Sequence, residues 1–123
     1  NLAPKGCLNL HTAPLPKYRG LMPSFWVMKN EEKYTGVSVF YVDEGIDSGP
    51  IIVQEQVEIG DKSLEELIQE TKKVGMEAIA TSVDLIEKGA VDLIENDDSQ
   101  MTYYNFPARE DVKEFLAKGK RFF

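Results

Sequence analysis

The sequence contains little of what most often reveals a protein's chemistry: it has one cysteine, one histidine and only short apolar runs. A lone cysteine forms no disulfide within the chain, which fits a reducing compartment. Cys7 and His11 are too few ligands for a zinc site unless carboxylates complete it. The apolar runs are far shorter than the ~20 residues of a membrane-spanning helix. We therefore expect a cytoplasmic protein with no membrane association.

Positive charge is also scarce. The 123 residues include 14 Lys and Arg against 21 Asp and Glu, which gives a net charge of −7 at pH 7. Nucleic acids and anionic membranes attract basic surfaces, so this balance argues against either as the main partner. A hydrophobic share of 42% is enough for one core, and we expect one domain or one part of a larger domain.

What the sequence does contain predicts an α/β fold. The segment "GCLNLH" predicts a first strand, and "TGVSVFYVD" and "PIIVQEQVEI" predict two more, joined by the acidic turn "DEGIDSG". A further short strand is predicted at "VDLIEN". Strands that alternate with helices along the chain are typical of an α/β architecture.

Helical periodicity is clearest in residues 61–89, where apolar side chains recur every three and four positions. Ser63 and the glutamate three residues later predict a capping box at the start of this long helix, and Gly89 predicts its end. Shorter helices are predicted at Pro23, which suits a first helical turn, and in the C-terminal stretch that ends at Gly119.

The single histidine, His11, lies on the first predicted strand, two residues after Asn9. Residues two apart on a strand point to the same face, with Cα atoms roughly 6.6 Å apart. An amide N–H and an imidazole N–H that flank one space can both donate to a carbonyl oxygen as it gains charge, and the imidazole can also carry a proton. The alternative is local: Asn9 bonds a strand-end backbone group and His11 caps the following turn.

Cys7 shares the strand parity of His11 and therefore raises the possibility of a nucleophilic pair. Four residues of strand separate the two by about 13 Å, which is beyond hydrogen-bond reach. We expect Cys7 to be a small core residue instead.

A second polar cluster, Asp43, Glu44 and Asp47, lies in the turn between two predicted strands. Gly45 and Gly49 permit sharp backbone turns there, and such a turn can aim a carboxylate into a cleft. The alternative is a solvated hairpin connection. The spacing does not match a calcium-binding loop.

Three motifs occur in order: N-x-H at residues 9–11, L-P-x-Y-R-G at residues 15–20 and D-x-G-x-D-S-G at residues 43–49. In this order and spacing they resemble the formyltransferase family that uses 10-formyltetrahydrofolate, which includes glycinamide ribonucleotide, methionyl-tRNA and amino-sugar formyltransferases. The resemblance covers about residues 5 to 59. Three linked motifs are far more specific than any one alone.

The resemblance implies a one-carbon transferase in which Asn9, His11 and Asp47 are the catalytic residues. An amine attacks the formyl carbon, Asn9 and protonated His11 hold the oxyanion of the tetrahedral intermediate, and Asp47 orients His11 and helps to remove the amine proton. No metal and no covalent enzyme intermediate is required. The resemblance also implies that one loop lines the folate pocket, mainly through backbone groups. Its residues are Tyr41, Val42, Asp43, Glu44, Gly45, Ile46 and Asp47.

Two departures from the family pattern matter. Phe40 stands where many members carry histidine, and phenylalanine is also found there in the domain that hydrolyses 10-formyltetrahydrofolate. The family domain also has a Rossmann-like half, on the order of a hundred residues, before this point. We therefore interpret residues 1–123 as the C-terminal part of a Rossmann-like formyltransferase domain, with a parallel strand, hairpin strands and a long amphipathic helix, from which the N-terminal half is absent.

The expected acceptor is a small-molecule amine, such as an amino sugar or an aminated nucleotide. The net charge of −7 and the lack of a basic C-terminal domain argue against tRNA as a partner. The alternatives are a 10-formyltetrahydrofolate hydrolase and a non-catalytic folate-binding or assembly module. We expect the isolated chain to be inactive, because its first strand and long helix would lack partners, and to self-associate or to be held by the missing N-terminal half.

Overall fold

The computed structural model describes residues 7–123, so Gly6, where the first predicted strand begins, lies outside the described residues. The fold is α/β, as predicted. Along the chain the elements are β1 (Leu8–His11), β2 (Arg19–Gly20), α1 (Pro23–Lys29), β3 (Tyr34–Tyr41), β4 (Ile51–Glu58), α2 (Leu64–Glu87), β5 (Tyr103–Tyr104) and α3 (Arg109–Ala117). A short 3₁₀ turn, Asp98–Gln100, precedes β5.

The main sheet has the strand order β1-β3-β4, and both pairings are antiparallel. Its central strand β3 is buried over most of its length because it has a partner on each side and is covered on both faces. Val37 and Val39 pack toward α2, while Phe40 packs with Leu15 and Ile51 in a separate small cluster. The predicted hairpin of β3 and β4 is confirmed.

No parallel partner of β1 lies among residues 7–123, so the predicted parallel strand stays a prediction. In this part of the chain β1 runs antiparallel to β3, with Leu8 opposite Tyr41 and His11 opposite Ser38. The physical reason lies in the connection between them. Its helix, α1, has 7 residues, too few to run back along the 8-residue strand β3, because a helix rises only about 1.5 Å per residue. The chain therefore returns to the sheet at the end where it left.

The long helix α2 begins and ends as predicted. The Ser63 hydroxyl accepts the Glu66 N–H, and the Glu66 carboxylate accepts the Ser63 N–H, which completes a capping box. At the other end Gly89 has a φ of 65°. Gly75 allows the helix to approach the sheet closely, since a Cβ there would lie 2.6 Å from Leu10 Cδ2.

A second core joins α1 to the C-terminal segment, which is the part of the chain that follows α2 (residues 88–123). Phe25 of α1 stacks on Phe115 of α3 with ring centroids 4.8 Å apart, and Phe115 contacts Phe122 at 4.9 Å. The Trp26 indole N–H donates to the carbonyl of Asn105 at 3.0 Å. The C-terminal segment is therefore packed onto the rest of the protein, beside the elements that build the site.

Three local predictions were wrong or incomplete. The segment "VDLIEN" forms only an isolated antiparallel bridge between Ile94 and Ile51 and no strand. Cys7 is exposed rather than buried, because it precedes β1 at the edge of the sheet. The parallel pairing of β2 with β5 was not predicted. In the described part of the chain, no helix combines the length and apolar character needed to cross a membrane.

Candidate active site

His11 is the last residue of β1, and its side chain is only 11% exposed. Its Nε2 lies 2.7 Å from the carbonyl oxygen of Tyr18 and 3.6 Å from Oδ2 of Asp47. Because a carbonyl oxygen can only accept, Nε2 carries a hydrogen and donates it to Tyr18. The other ring nitrogen, Nδ1, is therefore the atom of His11 that is left for a ligand.

Asn9 lies two residues before His11 and is exposed. Strand alternation places both side chains on the face opposite Leu10, which packs toward α2. The Asn9 Oδ1 accepts the Leu10 N–H at 2.9 Å, so the amide nitrogen is the end of the side chain that can donate outward. The local alternative is thus partly true, since both side chains bond nearby backbone, yet each keeps one nitrogen available for a ligand.

Asp47 is brought to His11 by the connection between β3 and β4. It has a φ of 54°, a left-handed conformation that is uncommon for a residue with a side chain. Its carboxylate is 14% exposed and accepts the Gly20 N–H at 2.9 Å in addition to facing His11. His11 and Asp47, which are separated in the sequence by the whole of β3, are therefore neighbours in the fold.

The β3–β4 connection is otherwise open to solvent. Val42 and Ile46 are 52% and 61% exposed, and the residues between them are also exposed. Tyr41 belongs to the end of β3 and is only half-buried. The connection closes at Gly49, where a Cβ would lie 1.6 Å from the carbonyl oxygen of Tyr41, so only glycine permits this approach. The predicted folate-loop residues thus form one exposed rim beside Asp47.

Within this rim, Asp43 organises a local turn. Its Oδ1 accepts the Ser48 hydroxyl at 2.5 Å and the Gly45 N–H at 2.9 Å. These bonds, the one from Ser48 above all, hold the pKa of the Asp43 carboxyl below its usual range. Asp43 is therefore a charged structural residue of the turn rather than a neighbour of His11 in the structure.

A buried side chain of the C-terminal segment, Asn96, holds the backbone of the β3–β4 connection. Asn96 donates from Nδ2 to the carbonyl oxygens of Asp47 at 2.8 Å and Gly49 at 2.9 Å. Its Oδ1 accepts from Nη2 of Arg19 at 2.8 Å, and the same Nη2 lies 2.8 Å from Oδ1 of Asp98. Arg19 is only 4% exposed, so this network lies inside the protein.

Tyr18, whose carbonyl accepts from His11, is fixed in several ways. It has a φ of 61°, and its backbone N–H donates to the Thr102 hydroxyl at 2.8 Å. Its own hydroxyl donates to Glu32 at 2.6 Å. Burial, together with the bond to Glu32, raises the pKa of the Tyr18 phenol above its usual range. The ring therefore stays neutral and serves as an anchor for the backbone that contacts His11.

Phe40, the departure from the family pattern, is 2% exposed and lies opposite Asn9 in the register of β1 and β3. It packs with Leu15 and Ile51 rather than lining an open space. Phe40 is therefore a core residue that lies beneath the site. Among residues 7–123, no three His, Cys, Asp or Glu side chains lie close enough together to hold a metal ion.

Sequence reasoning missed the residues that support the site. Arg19 lies inside the L-P-x-Y-R-G motif, which was a signal that it has a role, but its buried bonds could not be read from the motif. Asn96 and Thr102 lie in no motif and are 49 and 84 positions from their partners Asp47 and Tyr18. No pattern within one sequence identifies such contacts.

Comparison with known sequences gives a consistent result. The sequence model of the formyl transferase family matches residues 1–83. The methionyl-tRNA formyltransferase of Thermodesulfovibrio yellowstonii is 44% identical over 87 residues, which are 70% of this chain and 28% of that protein. That of Kosmotoga olearia is 40% identical over 112 residues, 90% of this chain and 36% of that protein. The chain thus spans about a third of the length of the curated relatives it matches.

Two solved structures with the same fold are named formyltransferases. The N-formyltransferase from Helicobacter canadensis in complex with folinic acid and dTDP-3-aminofucose has a TM-score of 0.74 and 26% identity, over 85% of this chain and 38% of that one. The formyltransferase PseJ from Anoxybacillus kamchatkensis has a TM-score of 0.75 at 24% identity, over 93% of this chain and 58% of that one. The second likeness is one of fold alone.

The expectation that argued against tRNA as a partner is contradicted by these relatives, two of which are named methionyl-tRNA formyltransferases. The net charge of the whole chain was a poor guide, because contact with a phosphate backbone needs only a local basic surface. The further expectation that the chain self-associates or is held by additional N-terminal residues stays a prediction.

Proposed function

Because the chain belongs to the formyl transferase family, we propose that it forms part of a catalytic domain that transfers the formyl group of 10-formyltetrahydrofolate to an amine. The observation that carries this proposal is the arrangement of His11, with Asp47 at 3.6 Å and Asn9 on the same strand face. These three groups supply a proton acceptor and two donors at one place, which is what attack on a formyl carbon requires.

The β3–β4 connection fits a folate. It presents two exposed apolar side chains, Val42 and Ile46, and a run of accessible backbone beside the Asp47 carboxylate. Such a rim can hold the flat ring against apolar side chains while backbone groups bond its polar edge. The folate supplies a formyl group on a nitrogen that can leave as an amine. In the proposal, residues 41–47 hold it.

His11 acts as a donor through Nδ1. Its Nε2 is already committed to the Tyr18 carbonyl, which fixes the plane of the ring. A protonated imidazole then presents the Nδ1 hydrogen to the formyl oxygen, while the nearby Asp47 carboxylate stabilises the positive ring. Tyr18 thereby selects which ring nitrogen meets the substrate.

Asn9 supplies the second donor. Its amide nitrogen is the exposed end of a side chain whose oxygen is held by the Leu10 N–H. That bond orients the amide so that its N–H groups face away from the strand. Together with His11 it forms an oxyanion hole made of side chains, and removal of one such donor typically costs about a hundredfold in rate.

Asp47 takes up the proton that the attacking amine must lose, either directly or through water. Its carboxylate is held by the Gly20 N–H and is close to His11, so it can serve both the ring and the amine. The amine nitrogen forms a bond to the formyl carbon and passes a proton to Asp47. When the bond between that carbon and the folate nitrogen breaks, Asp47 returns the proton to that nitrogen, so the step balances.

The identity of the acceptor is the finer part of the proposal. Identity of 44% and 40% to methionyl-tRNA formyltransferases supports the amino group of a methionyl-tRNA as the acceptor. The fold shared with a sugar N-formyltransferase supports a small-molecule amine, such as an amino sugar or an aminated nucleotide, as the second candidate. The stronger sequence similarity puts methionyl-tRNA first.

The test is a product analysis with 10-formyltetrahydrofolate labelled in the formyl group, using the intact protein that contains these residues. Label is expected in methionyl-tRNA, or in the amino sugar nucleotide, and the competition between the two identifies the acceptor. Label released as free formate at the same rate with and without an amine would replace transfer by hydrolysis. Unconsumed donor in the presence of both amines would contradict catalysis and leave a binding module.

A further inference from the structure

Asn96 uses every hydrogen-bonding group of its side chain at one buried point. It is 8% exposed, both Nδ2 hydrogens are donated to carbonyl oxygens of the Asp47 loop, and Oδ1 accepts from Arg19. A buried amide with all its partners satisfied is rigid, because any movement leaves a polar group unpaired. Asn96 is therefore a fixed point from which the loop is held.

The group that Asn96 holds is one that needs support. Asp47 has a φ of 54°, a conformation that persists only when its surroundings impose it. Asn96 contacts the backbone carbonyl of Asp47 itself, at 2.8 Å, and that of Gly49, at 2.9 Å. Both bonds hold the backbone at Asp47 and on its C-terminal side. The residues on its N-terminal side form the exposed rim.

The anchor of Asn96 leads back to the same carboxylate. Arg19, which donates to Asn96, is followed directly by Gly20, whose N–H donates to the Asp47 carboxylate at 2.9 Å. The Arg19 backbone N–H donates in turn to the carbonyl of Thr102 at 2.9 Å. The backbone and the carboxylate of Asp47 are thus fixed by adjacent parts of one network.

We propose that Asn96 is a positioning residue that holds Asp47 in register with His11. Asn96 contacts neither the His11 ring nor the Asp47 carboxylate, and it acts through the backbone of the loop. The effect of Asn96 on catalysis rests on the function proposed above, but its effect on the position of Asp47 does not. Asn96 lies outside residues 1–83, which the family model matches, so the motifs that identify the site do not include it.

A double-mutant cycle separates positioning from a general structural role, because residues that act as one unit give non-additive effects. In the intact protein, Asn96→Ala should lower kcat for formyl transfer about tenfold in the wild-type background. In the Asp47→Ala background it should lower the remaining rate less than about twofold. Equal losses in both backgrounds, or a single-variant rate within about twofold of wild type, would overturn the proposal.

Two further variants keep the cycle decisive. Asn96→Asp has nearly the same shape and keeps the acceptor for Arg19 but loses both donors, so it should show the same loss if Asn96→Ala folds poorly. Gln100→Ala, an exposed change on the same segment, should leave the rate unchanged. A loss in Gln100→Ala as large as in Asn96→Asp would indicate general damage to the segment and would contradict the proposal.

A second readout requires no catalysis. The Gly20 amide has the Asp47 carboxylate as its acceptor, so its hydrogen exchange reports the placement of that carboxylate. Exchange at Gly20 should rise about tenfold in Asn96→Asp and in Asp47→Ala, without a further rise in the double variant. Unchanged exchange in Asn96→Asp would refute positioning. If the wild type transfers no formyl group, the proposed function fails, and this measurement still decides the role of Asn96.

Discussion

The strand β1 and the connection between β3 and β4 each place one member of the His11–Asp47 pair, but they hold it differently. His11 is set by the register of β1 against β3, and its neighbour Leu10 packs on α2. Asp47 has a left-handed backbone conformation in an exposed connection and is held by the side chain of Asn96 and the N–H of Gly20. The strand is held by continuous backbone pairing and by packing of apolar side chains, whereas the loop is held by a few polar contacts.

The largest effect on the rate is expected from removal of the proposed catalytic side chains. His11→Ala or Asp47→Ala should lower kcat about a hundredfold or more, or ~2.7 kcal/mol of transition-state stabilisation, and Asn9→Ala should act similarly. Folate binding should change less. Steady-state kinetics with labelled formyl donor provide the measurement, and rates within a few-fold of wild type in all three variants would refute the assignment of the site.

The second-largest effect is expected when a methyl group is added to the loop, at Gly49, rather than to the helix that packs on β1, at Gly75. In Gly49→Ala the Cβ would lie 1.6 Å from a backbone carbonyl, so the loop must move, and we expect a rate loss of about tenfold or more. In Gly75→Ala it would lie 2.6 Å from the end of the Leu10 side chain, which can rotate away. The rate of Gly75→Ala should stay within about threefold of wild type. Similar losses in both variants would remove the contrast between strand and loop.

A smaller effect is expected where the C-terminal segment supports His11 through Tyr18. Thr102→Val removes the hydroxyl that accepts the Tyr18 N–H, and an unpaired backbone donor costs about 1 kcal/mol or more, so we expect a several-fold loss of rate. Thr102→Ser keeps the acceptor and should retain nearly the full rate. If the two variants are equally active, the Tyr18 carbonyl does not depend on this bond.

The smallest effect concerns the exposed turn at Asp43. Ser48→Ala removes the main donor to the Asp43 carboxylate, so the pKa of Asp43 should rise toward its ordinary value of 3.8. Because the folded-state pKa is the lower one, any stability from these bonds is present above that ordinary value and is lost as the pH falls through the lowered pKa. A carboxyl titration by NMR measures this shift, and an unchanged pKa would mean that Ser48 is not the cause.

Sequence reasoning succeeded where structure depends on nearby residues. The capping box at Ser63, the stop at Gly89 and the hairpin of β3 and β4 follow from spacings of a few residues, and all are confirmed. The three linked motifs identified the family for the same reason, because each is a short run with a fixed spacing.

It failed where a contact joins distant parts of the chain. The pairing of β2 with β5 involves 2 residues on each strand, too few to produce any alternation pattern, and it joins Gly20 to Tyr104. Asn96 is one polar residue in an irregular stretch, and only the folded chain reveals that it holds the Asp47 loop. The antiparallel pairing of β1 with β3 was not predicted, because it depends on the path of a connection rather than on the strand itself.

The central claim is that Asn9, His11 and Asp47 surround a formyl group, and the most direct test is a structure of the intact protein with a non-transferring formyl-folate bound. We expect the formyl oxygen within about 3.2 Å of the Asn9 amide nitrogen and of Nδ1 of His11, with the folate ring against residues 41–47. A folate whose formyl group lies beyond about 3.5 Å from both donors, with its ring on another surface, would contradict it.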